Sequence, residues 1–247
     1  MILSVMQPTY LPWLGYFSLI DSADTFVFLD NVKLEKSDWH IRNRIKTKDQ
    51  ALMLSCHVTT PTGRMNATIE NTPYIKAHSW KKKHLRSIVE NYNKTPYFNE
   101  LSPILARIYA QEGLDTVAQF NMALIKALMA YMEISTPVFA ASDLFGISGV
   151  KDERLVSICQ TLHCDHYLSP LGARAYIEEN SPGGELVKHN IEVFYQNFEH
   201  PEYIQQKGEF ISHLSAVDCL FNMGPKKTLE LIRQATKSPI YYSDLSG

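Results

Sequence analysis

The fold turns on residues 2–29, ILSVMQPTYLPWLGYFSLIDSADTFVFL. Ile2–Met6 is a short apolar run that ends in the turn-rich Gln7-Pro8-Thr9-Tyr10-Leu11-Pro12, a pattern suited to a buried parallel strand. Gly15–Ala23 predicts a short helix, with Phe17 and Ile20 on one side and Leu19 and Ala23 beside them. Thr25–Leu29, rich in aromatic and β-branched residues, predicts a second strand. Strand, loop, helix and strand in so short a span make a βαβ unit. Its crossover is expected to be right-handed, and its first loop opens at the carboxyl end of the first strand.

The remainder of the chain extends this unit. Ala51–Val58 predicts a strand, with Met65–Glu70 returning as its partner after Pro61-Thr62-Gly63. Helices are predicted over His78–Tyr92, Asn99–Gln111 and Asp115–Met132, the last from Val117, Phe120, Leu124, Leu128 and Tyr131 at helical spacing. Thr136–Ala141 predicts a strand. Lys151–His163 predicts a helix whose stripe is Leu155, Ile158, Cys159 and Leu162. Short strands follow at His166–Leu168 and Ile191–Phe194, then helices at Gly208–Phe221 and Pro225–Ala235, where Pro225 after Gly224 marks a start. Alternation at both ends predicts a single α/β domain over residues 1–247. Its sheet is Rossmann-like and mostly parallel, with a basic and helical insertion at about 31–132.

Composition sets outer limits. With 247 residues, 45% hydrophobic and 20% charged, the chain can bury a full core. No apolar run approaches membrane-spanning length, and the N-terminus has neither a basic n-region nor a small-residue cleavage site, so no signal peptide is expected. Cys56, Cys159, Cys164 and Cys219 form no CxxC pair and fit no zinc spacing, which predicts reduced, buried thiols in a cytoplasmic protein. The net charge of −2 hides an asymmetry: Lys33–Arg86 holds 12 Lys/Arg against 4 Asp/Glu. For Lys81-Lys82-Lys83 a solvated face is expected. The wider surplus suits a wall facing a phosphorylated ligand, and the slight acidity of the whole chain argues against nucleic acid.

Four constellations are candidates for chemistry. In the Gln7–Phe17 loop two prolines stiffen the backbone, and Gly15 permits close approach at a helix start that suits a phosphate. Tyr10, Trp13 and Tyr16 offer faces for a base or sugar, and composition alone leaves open whether they pack over the sheet edge instead. In Asp38–Lys46, Arg42 can clamp phosphate, Asn43 can read a hydroxyl, and His40 is a candidate general base or a plain surface residue. The turn after Ser169 brings Gly172, followed by a helix with Tyr176. In the penultimate helix Ser215, Asp218 and Asn222 share a stripe, with Asp218 the candidate catalytic base and Tyr203 and Gln205 closing the same pocket. If these segments converge on one cleft, it lies at the carboxyl edge of the sheet. No Walker loop, nucleophile elbow or His-Glu-x-x-His motif is present, so no metal is expected.

The opening layout resembles the nucleotidylyltransferases, where a strand leads to His-x-Gly-His. Here those four positions are Trp13-Leu14-Gly15-Tyr16. With both histidines replaced by aromatics, the likeness speaks to fold and not to nucleotidyl transfer. End to end, the chain resembles the WbqC-like proteins. The residues that carry this are Gln7–Phe17 with Asp24 and Asp30 after it, Trp39–Lys46, Tyr167–Tyr176, His200–Gln205 and Leu214–Gly224, in the family's order. Pro170 and Ile204 depart from it, standing where Gly and Pro are usual. The resemblance implies a cytoplasmic role in bacterial surface-polysaccharide (O-antigen) synthesis without supplying a reaction. The leading expectation is a transferase that modifies a nucleotide-activated or amino sugar by acyl or aminoacyl transfer, with a nucleotide or nucleotide sugar as ligand. The alternatives are an adenylating or nucleotidyltransferase-like enzyme and a non-catalytic assembly factor. Oligomeric state, donor and acceptor are left open.

Overall fold

A computed structural model of the chain describes residues 1–34, 39–61, 63, 65–75 and 79–245. Asp38, Thr62 of the predicted turn and the predicted helix start at His78 lie outside the described residues. The main sheet holds β1 (Ile2–Met6), β2 (Thr25–Phe28), β5 (Val138–Ala140), β6 (His166–Ser169), β7 (Glu192–Phe198) and β8 (Thr236–Tyr241). Their spatial order is β5-β2-β1-β6-β7-β8. All neighbours run parallel except β7 and β8, which are antiparallel. This is a Rossmann-like arrangement, and its order reverses between β1 and β6.

Parallel strands must bury both faces, and the side chains divide accordingly. Phe26, Phe28 and Leu168 join the larger core, with Phe17 and Leu19 of α1 (Leu14–Asp21), Leu124 and Leu128 of α4 (Val117–Met132), and Leu220 and Phe221 of α8 (Ala216–Ala235). Leu3, Val5, Val27, Tyr167 and Val193 face the other way. They pack on Leu155, Ile158 and Cys159 of α5 (Lys151–Thr161), Ile177 of α6 (Arg174–Ile177) and Leu186 of α7 (Gly184–Lys188). Phe26 and Phe28 are fully buried, and each contributes about 1.5–3 kcal/mol by leaving water.

The connection from β2 to β5 holds a hairpin and three helices. β3 (Arg42–Lys46) and β4 (Ala51–Ser55) pair antiparallel, ahead of α2 (Trp80–Tyr92), α3 (Phe98–Ala110) and α4. Thr116 and Gln119 form a capping box that starts α4. Side chains of all three helices belong to the same core as the sheet.

Two expectations are corrected, and one strand is added. The partner of the 51–58 strand is β3, not Met65–Glu70, which instead runs beside residues 30–34, with a bridge between Thr68 and Lys33 and backbone hydrogen bonds on either side of it. The charges of RNRIK disguised a strand whose Asn43 and Ile45 face inward. The predicted helix at Gly208 starts instead at Ala216, because Gly208 and His213 take positive φ and Ser215 supplies the cap. Phe210 and Leu214 are therefore outside it. The edge strand β8 follows the last predicted helix, where the sequence reading assigns no element; Pro239 inside it is tolerated at a sheet edge. Within α8 the backbone breaks at Gly224 (φ 75°, ψ 173°), where a Cβ would lie 2.4 Å from the Tyr97 ring. Only glycine fits that break. All four cysteines are free and buried.

Candidate functional site at the carboxyl edge

The loop after β1 leaves the sheet at the reversal between β1 and β6, the place where open α/β sheets collect ligands. Its carbonyl groups are held from outside. Asn43 Nδ2 donates to the carbonyl oxygens of Leu11 at 2.7 Å and Tyr10 at 3.2 Å, and Asn121 Nδ2 donates to those of Pro8 at 2.9 Å and His40 at 2.8 Å. Tyr10 N donates to Trp39 O at 2.9 Å, and Ala216 N to Pro12 O at 2.7 Å. Leu11 is thereby fixed at φ 45°, an unusual state for a branched residue. The loop is a rigid wall tied to β3, α4 and the start of α8.

Against this wall lies a cavity of about 290 Å³. Met6, Thr9, Trp13 and Tyr16 come from β1, its loop and α1; Trp39, Asn43 and Arg44 come from the hairpin, and His213 from the segment before α8. Trp13 stacks on His213 (centroids 5.4 Å apart) and on His200 (6.1 Å), and the two imidazoles are 4.5 Å apart. His213 N donates to His200 Nε2 at 3.1 Å. Burial, with His213 alongside, lowers the His200 pKa to about 4, so this ring is neutral near pH 7. Trp39 is 43% exposed, with the Arg42 and Arg44 guanidinium carbons 6.0 and 5.9 Å from its ring centroid. Arg44 Nη2 also donates to His213 O at 3.1 Å. The Nε atoms of both arginines are buried without a hydrogen-bond partner among the described residues.

Behind the cavity runs a buried polar network. Asp218, fully buried, accepts from Tyr92 Oη at 2.7 Å and from Tyr203 Oη at 2.8 Å. Lys46 N donates to Tyr92 Oη at 2.9 Å, and Lys46 Nζ reaches Gln205 Oε1 at 2.8 Å and the Glu209 carbonyl. Gln205 in turn exchanges hydrogen bonds with the backbone of Ile211. Burial raises the Asp218 carboxyl pKa, opposed by the two tyrosine hydroxyls and the Lys46 charge. The network fixes the 203–211 segment just ahead of His213.

The sequence candidates therefore separate. Trp13, Tyr16 and Asn43 line the cavity, and Arg42 flanks it on Trp39. Gln7 is half-buried and accepts from Tyr16 Oη at 3.1 Å. Tyr10 points inward to His84 Nδ1 at 2.7 Å and to Tyr109 Oη, so it offers no face to a ligand. Gly15 makes room for a side chain: a Cβ there would sit 2.3 Å from Trp13 Cη2. His40 is buried. Ser215 caps α8, and Asn222 donates to the Asp218 carbonyl at 2.7 Å. Asp218, Tyr203 and Gln205 belong to the buried network and do not line this cavity. Gly172 and Tyr176 are exposed and do not line this cavity; a Cβ on Gly172 would meet nothing within 4 Å. Sequence reasoning missed Thr9, Trp39, His200 and His213 as site residues. The signal for Trp39 was a tryptophan three and five residues before arginines, and the histidines gave none, since the stack forms only in three dimensions.

Gly15→Ala is expected to push the Trp13 ring off its imidazole stack at little cost to the fold, because only the far end of that ring is hit. Tryptophan fluorescence should shift while Tm falls by less than about 4 °C. An unchanged emission spectrum would show that the ring does not depend on this glycine.

A Rossmann-like sheet with an arginine- and aromatic-lined crevice at its reversal defines an α/β protein with one candidate site at its carboxyl edge. The chain belongs to the WbqC-like protein family, whose profile matches residues 7–230. An uncharacterized protein of Mycobacterium tuberculosis is 33% identical over 222 residues, covering 90% of this chain and 93% of that one. No solved structure matches the chain. Among the described residues, no group of three or more His, Cys, Asp or Glu is placed to hold a metal ion, and no helix is long and apolar enough to cross a membrane.

Proposed function

We propose that the protein is a cytoplasmic transferase of bacterial surface-polysaccharide synthesis that acts on a nucleotide-activated or amino sugar at this crevice. The observation that carries the reading is the exposed Trp39 beside two guanidinium groups at a cavity on the sheet's reversal. Arg42 and Arg44 suit a diphosphate, since each guanidinium offers paired donors and a permanent charge. Trp39 offers a face for a base, and the cavity behind it has room for one further ring, bounded by Trp13, Tyr16 and Asn43. The role in polysaccharide assembly rests on what the resemblance to the WbqC-like proteins implies. The reaction to test first is acyl or aminoacyl transfer to a sugar amine, in which the amine nitrogen bonds the acyl carbon, the carrier departs and the nitrogen loses a proton.

UDP-, dTDP- and GDP-sugars tested by thermal shift decide the reading. One of them should stabilise the protein by about 2.7 kcal/mol at a hundredfold excess over Kd. Arg42→Ala should weaken that ligand roughly 10- to 100-fold, the value of one charge-assisted contact, with the unliganded Tm almost unchanged. No stabilisation by any nucleotide would overturn the proposal, and ATP consumption with pyrophosphate release would replace it with adenylation.

A further inference from the structure

A second cavity, of about 560 Å³, opens between the start of α2, the end of α3 and the segments at Tyr74–Ile75 and Leu114–Asp115, and shares no lining residue with the crevice. Tyr74, Trp80, Tyr109 and Leu114 form its apolar walls, and Lys81 and Lys82 stand at its rim. Lys81 is not on a solvated face as expected. Half-buried, it lies with Nζ 4.8 Å from the Phe120 ring centroid and 5.9 Å from that of Trp80. Burial lowers the pKa of its amine, with the Asp115 carboxylate opposing. Ser79, at the start of α2, makes no side-chain capping bond and lines the same cavity.

An ammonium group partly withdrawn from water gains from any anion brought beside it. Aromatic walls of this extent bind flat apolar bodies, and a cavity of this size is typical of small-molecule sites. A neutral ligand would leave Lys81 desolvated, and a cation would be repelled by both lysines. We propose that this cavity is a second binding site, for a small organic anion with a flat apolar body. Its acidic head lies at Lys81 and Lys82, and its body lies among Tyr74, Trp80 and Tyr109. The site stands independently of the crevice reading, because none of its residues serves the nucleotide.

Two dyes of nearly identical body test the charge requirement on the intact chain: the anionic 8-anilinonaphthalene-1-sulfonate and the neutral N-phenyl-1-naphthylamine. The sulfonate should bind with one saturable site per chain, at least tenfold more tightly than the neutral dye. Lys81→Met, or Lys81→Gln should the methionine variant misfold by circular dichroism, should erase that preference. Leu114→Trp should block the sulfonate, and Arg44→Ala in the crevice should leave its affinity within twofold. Equal affinity for the two dyes, absence of sulfonate binding, or a preference that survives loss of the Lys81 charge would overturn the proposal.

Discussion

Asp218→Ala is expected to lower the unfolding free energy by about 3–5 kcal/mol, the cost of removing one partner from a buried charged network. Two hydroxyls, of Tyr92 and Tyr203, lose their acceptor in a place water does not reach. The buried Lys46 charge loses its opposite number as well. Asp218→Asn keeps the volume and one acceptor, and should cost about 1–3 kcal/mol. Urea titration gives both values from the shift in midpoint at unchanged m. A loss under 1 kcal/mol for the alanine variant would show that the carboxylate does not hold this network together. A large loss of turnover in an asparagine variant of near-native stability would move Asp218 from positioning to chemistry.

Acidification should weaken the fold through His84. Its Nδ1 meets the Tyr10 hydroxyl, and burial lowers its pKa to about 4. Between about pH 6.5 and 4 the unfolded chain takes up a proton that the folded chain refuses. Stability is therefore intact above that window and falls as the pH drops through it. A displacement of that size corresponds to about 3 kcal/mol. His200, also lowered to about 4, acts in the same direction. Asp218 acts with the opposite sign, since its raised pKa favours the folded state in acid and that contribution is lost as pH rises. The variant comparison isolates the histidine: stability measured at pH 7 and pH 4 should differ by about 3 kcal/mol less in His84→Gln than in the native chain. Equal differences would mean that His84 is protonated in the fold.

The sheet was legible because its strands are nearly pure apolar runs and its helices keep a 3.6-residue stripe. Ile2–Met6 matches β1 residue for residue. The β3–β4 hairpin was only half legible, because RNRIK is a strand whose inward residues include Asn43 and Lys46, both satisfied by partners far along the chain. Tyr10 and Trp13 show the same limit within one loop. Both are aromatic and three residues apart, yet one is sealed against Tyr109 and the other walls the cavity. Which way each turns is decided by contacts with α2, α3 and the 200–213 segment, and no local pattern encodes those.

The position of β1 has a consequence for synthesis on the ribosome. One edge of this strand pairs with β2 some 22 residues later, but its other edge waits for His166, which pairs with Ile2. At about 5–20 residues per second, that edge stays open for roughly 8–30 s in every nascent chain. Its Leu3 and Val5 side chains also lack the α5 residues that will cover them. The strand at the centre of the finished sheet is therefore the most exposed to mispairing while the chain is being made, and fragments ending before residue 166 should be recovered mainly as aggregates or chaperone-bound species.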